Sequence, residues 1–307
     1  MAHLIELGFG LPIAGAWATP DALVTVARRA EALGYRGLWT FQRLFYPVAP
    51  RDEYYGAPGP TWPAPFASVM DPLTVLAFVA AHTRTIRLGV SVLILPLYQP
   101  LVLAKTLATL DVVSGGRLDV GLGLGWSRDE YEAAGVSWSR RGARSEEFIR
   151  CLKAAWTDEI VEFSGEFYRV PPARVAPRPV QRPHPPLLLG GYHPEVLRRA
   201  AELCDGYTGG NIPFADLART VDSVRAAAVA AGRDPAKFPI VCRGSFNVTP
   251  QALGPDRRAL WGSLAQVRED LARYAAAGVS QIFLEPNFQP GGADLARTLA
   301  HLEALAP

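Results

Sequence analysis

The fold is decided by residues 71–126, which read DPLTVLAFVAAHTRTIRLGVSVLILPLYQPLVLAKTLATLDVVSGGRLDVGLGLGW. Two apolar strand-like runs, 86–93 and 118–124, enclose a stretch after Pro100 in which leucines recur at spacings of three and four. That period is typical of a helix with one apolar face, and the glycine pair at its end is a common helix stop. Strand, helix and strand in this order indicate parallel βα units.

The same alternation extends over the whole chain and gives about eight units. The predicted strands are residues 4–11, 37–41, 86–93, 118–124, 186–190, 206–209, 240–248 and 281–285. Three predicted helices have a capping residue followed by proline, and these caps are Thr19, Asp71 and His193. Eight such units in 307 residues favour an α/β fold of the (β/α)8 TIM barrel type, one domain over 1–307. A doubly wound open sheet is the alternative.

Two insertions interrupt the regular units, and both are expected at the C-terminal mouth of the barrel. Residues 42–70 are rich in proline and aromatics and follow the second strand, on the side where TIM barrels keep their active sites. An ordered surface elaboration without a ligand is the other interpretation. Residues 158–182 contain VEFSGEFYRV, which predicts a hairpin around Ser164 and Gly165, and this segment is expected to cover the barrel end.

Composition excludes several classes of protein. With 49% hydrophobic and 20% charged residues the chain is neither disordered nor a disulfide-stapled miniprotein. The net charge of +2 is spread without long runs, so we expect no nucleic-acid partner. The longest apolar runs are about half the roughly 20 residues needed to span a bilayer, which predicts a cytoplasmic protein without a membrane partner. Three distant cysteines without CxxC spacing are expected to be buried and reduced.

Two glycine-rich motifs follow predicted strands. In GLGLGW, residues 121–126, the glycines alternate within a strand; they either leave space for a flat ligand or allow tight packing inside the barrel. LLLGGYHPE, from Leu187, is a strand, a glycine pair and a proline-started helix. Exposed amides at such a helix start favour a phosphate, although the glycines could simply permit a sharp turn.

Groups for acid–base or metal chemistry are sparse. There is no Ser-His-Asp order, HExxH pair or close carboxylate couple at the strand ends, which argues against a hydrolase and a metal site. The histidines at 3, 82, 184 and 301 lie where structural roles are expected. A barrel of this kind is typical of enzymes in which a cofactor performs the difficult step.

The residues also carry a family resemblance. Over about 34–206 the chain resembles the luciferase-like monooxygenase superfamily, and within it the bacterial oxidoreductases that use the deazaflavin coenzyme F420. The matching stretches are AEALGYRGLW at 30–39, the whole of 71–126, DEYEAAG at 129–135, and PPLLLGGYHPEVLRRAAELCDGY at 185–207. The resemblance independently implies a TIM barrel.

The resemblance also implies roles for individual residues. In deazaflavin members a cis, non-proline peptide forms a bulge at the end of the third strand and backs the cofactor ring, and Ser91–Val92 matches that place. Gly190, Gly191 and Tyr192 match the family's phosphate-binding turn. Gly125 and Trp126 match the end of the fourth strand, beside the cofactor.

One departure from the family concerns the residues after the second strand. Many deazaflavin-dependent relatives have an Asp-His pair there, whereas this chain has Gln42 and Arg43. Because arginine does not readily give up a proton, Arg43 is a poor general base, and we expect it to hold an anionic substrate or cofactor group. The alternative is a surface arginine that pairs with Asp52 or Glu53.

The leading hypothesis is an F420-dependent oxidoreductase that transfers hydride between the deazaflavin and a small organic substrate. Gln42 and Arg43 are the candidate catalytic residues, and Phe41, Tyr46 and Trp126 are expected to shape the substrate side. An FMN-dependent monooxygenase and a noncatalytic protein that only binds flavin or deazaflavin are the alternatives. The resemblance also allows a homodimer.

Overall fold

The computed structural model describes residues 5–54, 61–210 and 212–307. Its strands are β1 (Glu6–Gly10), β2 (Gly37–Thr40), β3 (Arg87–Ile94), β4 (Leu118–Gly123), β5 (Val161–Ser164), β6 (Arg169–Ala173), β7 (Leu187–Gly190), β8 (Gly206–Gly209), β9 (Ile240–Ser245), β10 (Asn247–Val248), β11 (Trp261–Gly262) and β12 (Gln281–Glu285). Eight of them form a closed parallel barrel in the order β1-β12-β9-β8-β7-β4-β3-β2. The predicted TIM barrel is thereby confirmed and the open sheet is wrong. Leu4, the first residue of the first predicted strand, lies outside the described residues.

Helices follow the barrel strands. They are α1 (Pro20–Ala32), α2 (Pro72–His82), α3 (Pro100–Ser114), α4 (Arg128–Ala133), α5 (Arg141–Thr157), α6 (Pro194–Leu203), α7 (Phe214–Ala230), α8 (Leu264–Ala277) and α9 (Leu295–Ala304). The three predicted caps are confirmed, because the side chains of Thr19, Asp71 and His193 each accept a hydrogen bond from a first-turn amide. Gly115 ends α3 in the left-handed conformation that glycine adopts easily.

The interior of the barrel is filled by side chains. Trp39 and Phe283 stack with 4.9 Å between their ring centroids, and they pack with Leu188 and Val241. A Cβ on Gly89 would lie 2.5 Å from Cε3 of Trp39, so this position needs glycine for the indole to fit. Since the centre of the barrel is occupied, a ligand has to bind at an end of it.

The second insertion is a hairpin, as predicted, but it does not cover the mouth. Strands β5 and β6 pair antiparallel, and the Glu147 side chain of α5 accepts hydrogen bonds from the backbone amides of residues 166–168 at the hairpin turn. The chain then returns to the amino ends of the barrel strands, where Gln181 donates to the carbonyl oxygen of Leu118 at 2.8 Å. The expected position over the C-terminal mouth is therefore wrong for the chain around Gln181. The hairpin turn packs on the first turns of α5, where Glu166 pairs with Arg140, and no residue of 158–182 lines the cavity at that end of the barrel.

The first insertion does lie at the mouth. Its described part, 42–54 and 61–70, contains a single turn of 3-10 helix at Ala64–Ala67. Cys151, Cys204 and Cys242 are free and buried, as expected. Within the three described ranges, no helix combines the length and the apolar character that crossing a bilayer requires.

Candidate active site

A cavity of about 320 Å³ opens at the carboxyl ends of the barrel strands. It is lined by residues from the ends of β3, β4, β7, β8 and β9, from the segment after β2, and from the start of α5. Ten of the eleven residues expected at the site line it, namely Phe41, Gln42, Arg43, Ser91, Val92, Gly125, Trp126, Gly190, Gly191 and Tyr192. The sequence therefore located the cavity, while the roles of these residues stay predictions.

The end of β3 has the backbone geometry that the resemblance implied. The Ser91–Val92 peptide bond is cis, which confirms that prediction. The pairing of β3 with β4 shifts its register between Val90 and Leu93, so the strand bulges at this place. The Ser91 hydroxyl lies 3.0 Å from the hydroxyl of Thr208 on β8, which links the bulge to the strand across the cavity wall.

The alternating glycines of the fourth strand serve packing. A Cβ on Gly121 would clash with the carbonyl oxygen of Val90, one on Gly123 would lie 2.5 Å from Cγ2 of Val92, and one on Gly125 would lie 2.6 Å from Cγ2 of Ile94. The space where these Cβ atoms would lie is thus taken by β3. Gly123 and Gly125 also line the cavity, so the structure supports tight packing and leaves the ligand interpretation of GLGLGW a prediction.

The turn after β7 needs glycine, but the helix start beside it has few amides to offer. Gly191 has φ +145, and a Cβ there would lie 3.0 Å from Cγ1 of Val196. The Glu195 amide donates to Nδ1 of His193, and the Val196 amide donates to the carbonyl oxygen of His193. The expectation of exposed first-turn amides in α6 is therefore wrong for these two. One positive charge of the cavity lining comes from Arg141, which begins α5.

Gln42 is fixed by two polar contacts. Its Oε1 accepts a hydrogen bond from the Ile94 amide at 2.7 Å, and its Nε2 donates to the Tyr98 hydroxyl. Ile94 is the last residue of β3, so Gln42 ties the segment after β2 to the strand that carries the cis bond. Burial raises the pKa of Tyr98 to about 12, so this phenol stays neutral at physiological pH. The geometry suits Gln42 to positioning.

Arg43 is buried and not on the surface. Its Nη2 donates to Oε2 of Glu130 at 2.7 Å. Its guanidinium lies over the ring of Trp126, with 4.7 Å from Cζ to the centroid. The alternative of a surface arginine paired with Asp52 or Glu53 is wrong, because Asp52 pairs with Arg128 and Arg43 is enclosed by aromatic rings.

Aromatic side chains form the wall around Arg43. Trp62 and Trp126 meet edge to face with 4.5 Å between centroids, and Tyr54 lies 5.2 Å from Phe66 in the same arrangement. Phe41 completes this wall beside Phe66. Tyr46 was expected to shape the substrate side, but it does not line the cavity. Its hydroxyl donates to the backbone carbonyl of Trp62 behind the wall.

Sequence reasoning missed several polar residues of the cavity. Arg243 on β9 is buried, and its Nη2 donates to the Tyr54 hydroxyl at 3.2 Å. A signal existed, since a lone arginine inside the apolar run IVCRGS is unusual unless the charge has a use. Arg141 and Thr208 also line the cavity, but a helix start and a short strand give no comparable signal.

The lining has two unlike halves. The neighbouring strands β3, β4, β7 and β8 contribute glycines, the cis bond and two hydroxyls. The segment after β2, the first insertion and β9 contribute aromatic rings with Arg43 and Arg243. Trp126, which follows β4, belongs with them because its ring packs on Tyr54 and Trp62. Over the described residues, no aspartate or glutamate lines the cavity. The site thus combines an apolar surface with a positive potential, which favours a flat ligand that carries anionic groups.

Comparison with known proteins identifies the family of the chain. The family model described as luciferase-like monooxygenase matches residues 6–252. The chain belongs to this family. An uncharacterised protein from Mycobacterium tuberculosis is 32% identical over 250 residues, which cover 80% of this chain and 84% of that protein. The FMNH2-dependent dimethylsulfone monooxygenase of Pseudomonas putida is 37% identical over 164 residues, or 52% of this chain and 45% of that one.

Solved structures agree with the luciferase-like fold. The monooxygenase RslO1 from Streptomyces bottropensis superposes with a TM-score of 0.80 at 24% identity, over 98% of both chains. An F420-dependent secondary alcohol dehydrogenase superposes with a TM-score of 0.77 at 17% identity, again over 98% of both. At these identities the likeness concerns the fold alone. The expectation that the protein is a luciferase-like enzyme is confirmed.

Proposed function

We propose that the protein is an oxidoreductase that transfers hydride between coenzyme F420 and a small organic substrate at the mouth cavity. The observation that carries the proposal is the division of this cavity into a half of glycines and hydroxyls around the cis Ser91–Val92 bond and a half of aromatics and arginines. The first half suits a flat ring, and the second half suits a substrate facing it. When bound, the deazaflavin would supply the hydride chemistry, because the lining itself has no redox-active group.

The residues present fit such a cofactor. The Val92 side chain packs where Cβ atoms on Gly123 and Gly190 would lie, which makes a continuous apolar support beside the bulge. The hydroxyls of Ser91 and Thr208 offer hydrogen-bonding groups within that support. The Gly190 and Gly191 turn would hold the anionic tail with Arg141, because a guanidinium binds phosphate oxygens through charge-assisted hydrogen bonds.

The remaining residues orient and exclude water. Gln42 holds the end of β3 through the Ile94 amide, so that the bulge keeps its position. The rings of Phe41 and Trp126 remove water from the substrate side, which strengthens every polar interaction inside. Arg43 supplies a fixed positive charge and does not act as a proton donor or acceptor in acid–base catalysis at neutral pH. We expect proton transfer, where the reaction needs it, to come from the substrate or solvent.

An FMN-dependent monooxygenase is the second candidate. The dimethylsulfone monooxygenase that resembles this chain uses FMNH2, and at 37% identity it is more similar in the aligned part than the F420-dependent dehydrogenase is. The same glycine turn with Arg141 suits the phosphate of FMN as well. The two candidates differ in oxygen chemistry, since reduced FMN reacts with oxygen and reduced F420 does not.

Cofactor titration tests the proposal. Purified protein is titrated separately with F420 and FMN, binding is followed by fluorescence, and oxygen uptake is measured with each cofactor reduced. Tighter binding of F420 without oxygen uptake is the expected result, and tighter FMN binding with oxygen uptake contradicts it. Arg141→Met should weaken cofactor binding. The matched control is Arg174→Met, because Arg174 is an exposed arginine of the second insertion.

A further inference from the structure

Two arginines reach the aromatic half of the mouth cavity from separate parts of the barrel. Arg43 follows β2, and Arg243 lies on β9, three places away around the ring of strands. Both line the cavity, and their exposed fractions are 7% and 8%. Burying a second guanidinium at one site is costly, so the pair indicates a use for positive charge there.

The two guanidinium groups belong to one aromatic cluster. The Cζ atom of Arg43 lies 5.5 Å from the ring centroid of Phe66, and that of Arg243 lies 5.9 Å from the centroid of Phe288. These two rings touch edge to face with 5.3 Å between centroids. Tyr54, which accepts a hydrogen bond from Arg243, also packs on Phe66. The cations therefore share the surface that would meet the substrate.

Two acidic side chains lie near the arginines. Glu130 forms an ion pair with Arg43. Glu285 is the buried carboxyl whose charge interacts with Arg243, and burial raises its pKa, which favours the uncharged form. Neither carboxyl lines the cavity. The charge presented to a bound substrate is positive.

We propose that the substrate is an organic acid with an apolar, flat body, whose anionic group binds between Arg43 and Arg243. The body would lie on Phe41, Phe66 and Trp126, which line the same half. This inference rests on the proposed function only in assigning the other half of the cavity to the cofactor. There the tail has its own cation, Arg141, so the two arginines of the aromatic half are not needed for it.

Matched acids and amides test the charge requirement. The probes are phenylacetate, cinnamate and indole-3-acetate, each compared with its primary amide, and phenylmethanesulfonate as a second kind of anion. Isothermal titration calorimetry measures their binding to the cofactor-loaded protein and to the protein alone. Because a hydrogen bond to a charged group is worth roughly 1.5 to 3 kcal/mol, at least one acid should bind about 10 to 100 times more tightly than its amide. The sulfonate shows whether the site requires carboxylate geometry or any organic anion.

Variants show which residues are responsible for the preference for acid over amide. Arg243→Met and the charge-balanced Arg43→Met/Glu130→Gln should each bring the acid-to-amide ratio to within about threefold of unity, because each removes a guanidinium that would bind the anion. Glu130→Gln alone keeps Arg43 and should retain the preference. Arg174→Met serves as the surface control and should also retain it. Circular dichroism checks that each variant is folded, and the ratio in the parent protein decides even if one variant fails to fold.

Each outcome has a definite meaning. Any of three results overturns the proposal. These are equal affinity for acid and amide in all three pairs, an acid preference that survives both arginine variants, and no binding of any acid. In those cases normal binding of F420 would leave the proposed function intact. Conversely, an arginine-dependent acid preference in a protein that binds no F420 would support the acid site and remove the F420 function.

Discussion

Arg43 and Glu130 form a buried ion pair beside the mouth cavity, with 2.7 Å between Nη2 of Arg43 and Oε2 of Glu130. Only 3% and 1% of the two side chains are exposed. The other carboxylate oxygen, Oε1, accepts a hydrogen bond from the Leu44 amide at 2.9 Å. Glu130 thus holds both the guanidinium and the backbone that follows it. Burial raises the pKa of Glu130, and the charge of Arg43 opposes that rise.

Removing Arg43 alone should therefore destabilise the fold. Arg43→Met leaves the buried carboxyl group of Glu130 without its countercharge, and we expect the free energy of unfolding to fall by about 3 to 5 kcal/mol. Arg43→Met/Glu130→Gln removes both charges and should recover most of that loss. Urea denaturation at pH 7.5 measures all three proteins. Equal stability of the single and double variants would show that the pair carries no such coupling.

Glu285 should make stability depend on pH. Burial raises its pKa above the ordinary value of 4.5, and hydrogen bonds from Asn287 with the charge of Arg243 oppose the rise. Between 4.5 and the raised pKa the folded protein holds a proton that the unfolded chain has lost, so the free energy of unfolding falls as pH rises through this window. Glu285→Gln cannot lose that proton. The stability of the variant relative to the parent should rise with pH in the same window and then level off.

Denaturation curves from pH 4.5 upward measure this difference. Glu303→Gln, at a half-exposed position of α9, is the matched control for the loss of a carboxyl group, and an equal trend in it would contradict the assignment to Glu285. A difference between Glu285→Gln and the parent that stays constant over the whole range would contradict the assignment. The Glu285→Gln variant is expected to retain a weaker pH dependence of its own, because the pKa of Glu130 is raised in the same direction.

The fold was predictable because its signals are local. Apolar runs and glycines within a few residues of each other placed β8 at Gly206–Gly209 and β12 at Gln281–Glu285, the bounds that were predicted. The caps at Thr19 and Asp71 also depend only on residues three positions away. Local patterns of this kind do not require knowledge of the packing.

The partners inside the site were not predictable because they are distant in sequence. Asp52 and Glu53 lie near Arg43 along the chain, yet the carboxylate that pairs with it is Glu130, 87 positions on. Arg243 meets Tyr54 across 189 positions. Such contacts follow from which strand ends adjoin at the mouth. The cis bond at Ser91–Val92 was foreseen through family resemblance alone, since nothing in the residue types requires it.

The turn at Gly191 should matter for the cofactor more than for the fold. Gly191→Asp puts a negative charge beside the proposed tail site, at a residue whose φ is +145. We expect the affinity for F420 to fall by more than about tenfold, because like charges repel strongly in a binding site. Gly34→Asp is the control, since Gly34 has φ +84, open space where a Cβ would lie and a place in the loop after α1.

Fluorescence titration measures the affinity, and thermal unfolding compares the two variants. The assignment is supported if Gly191→Asp and Gly34→Asp lose similar stability but only Gly191→Asp loses affinity for F420. Unchanged affinity in a folded Gly191→Asp protein would remove the turn from the cofactor site.

Val92 and Gly123 should be coupled through the space they share. A Cβ at 123 would lie 2.5 Å from Cγ2 of Val92, closer than real side chains approach, so Gly123→Ala must displace the valine from the bulge. Val92→Ala removes the clashing methyl groups, and the double variant should be more stable than the sum of the single effects by about 1 kcal/mol or more. Gly244→Ala is the matched control, because its Cβ would clash with Leu260 and Val92→Ala cannot relieve that. A double-mutant cycle of unfolding free energies, repeated for F420 affinity, tests both pairs. Additive effects at Val92 and Gly123 would mean that the bulge of β3 does not pack on β4. The support proposed for the cofactor ring would then have to come from elsewhere in the cavity.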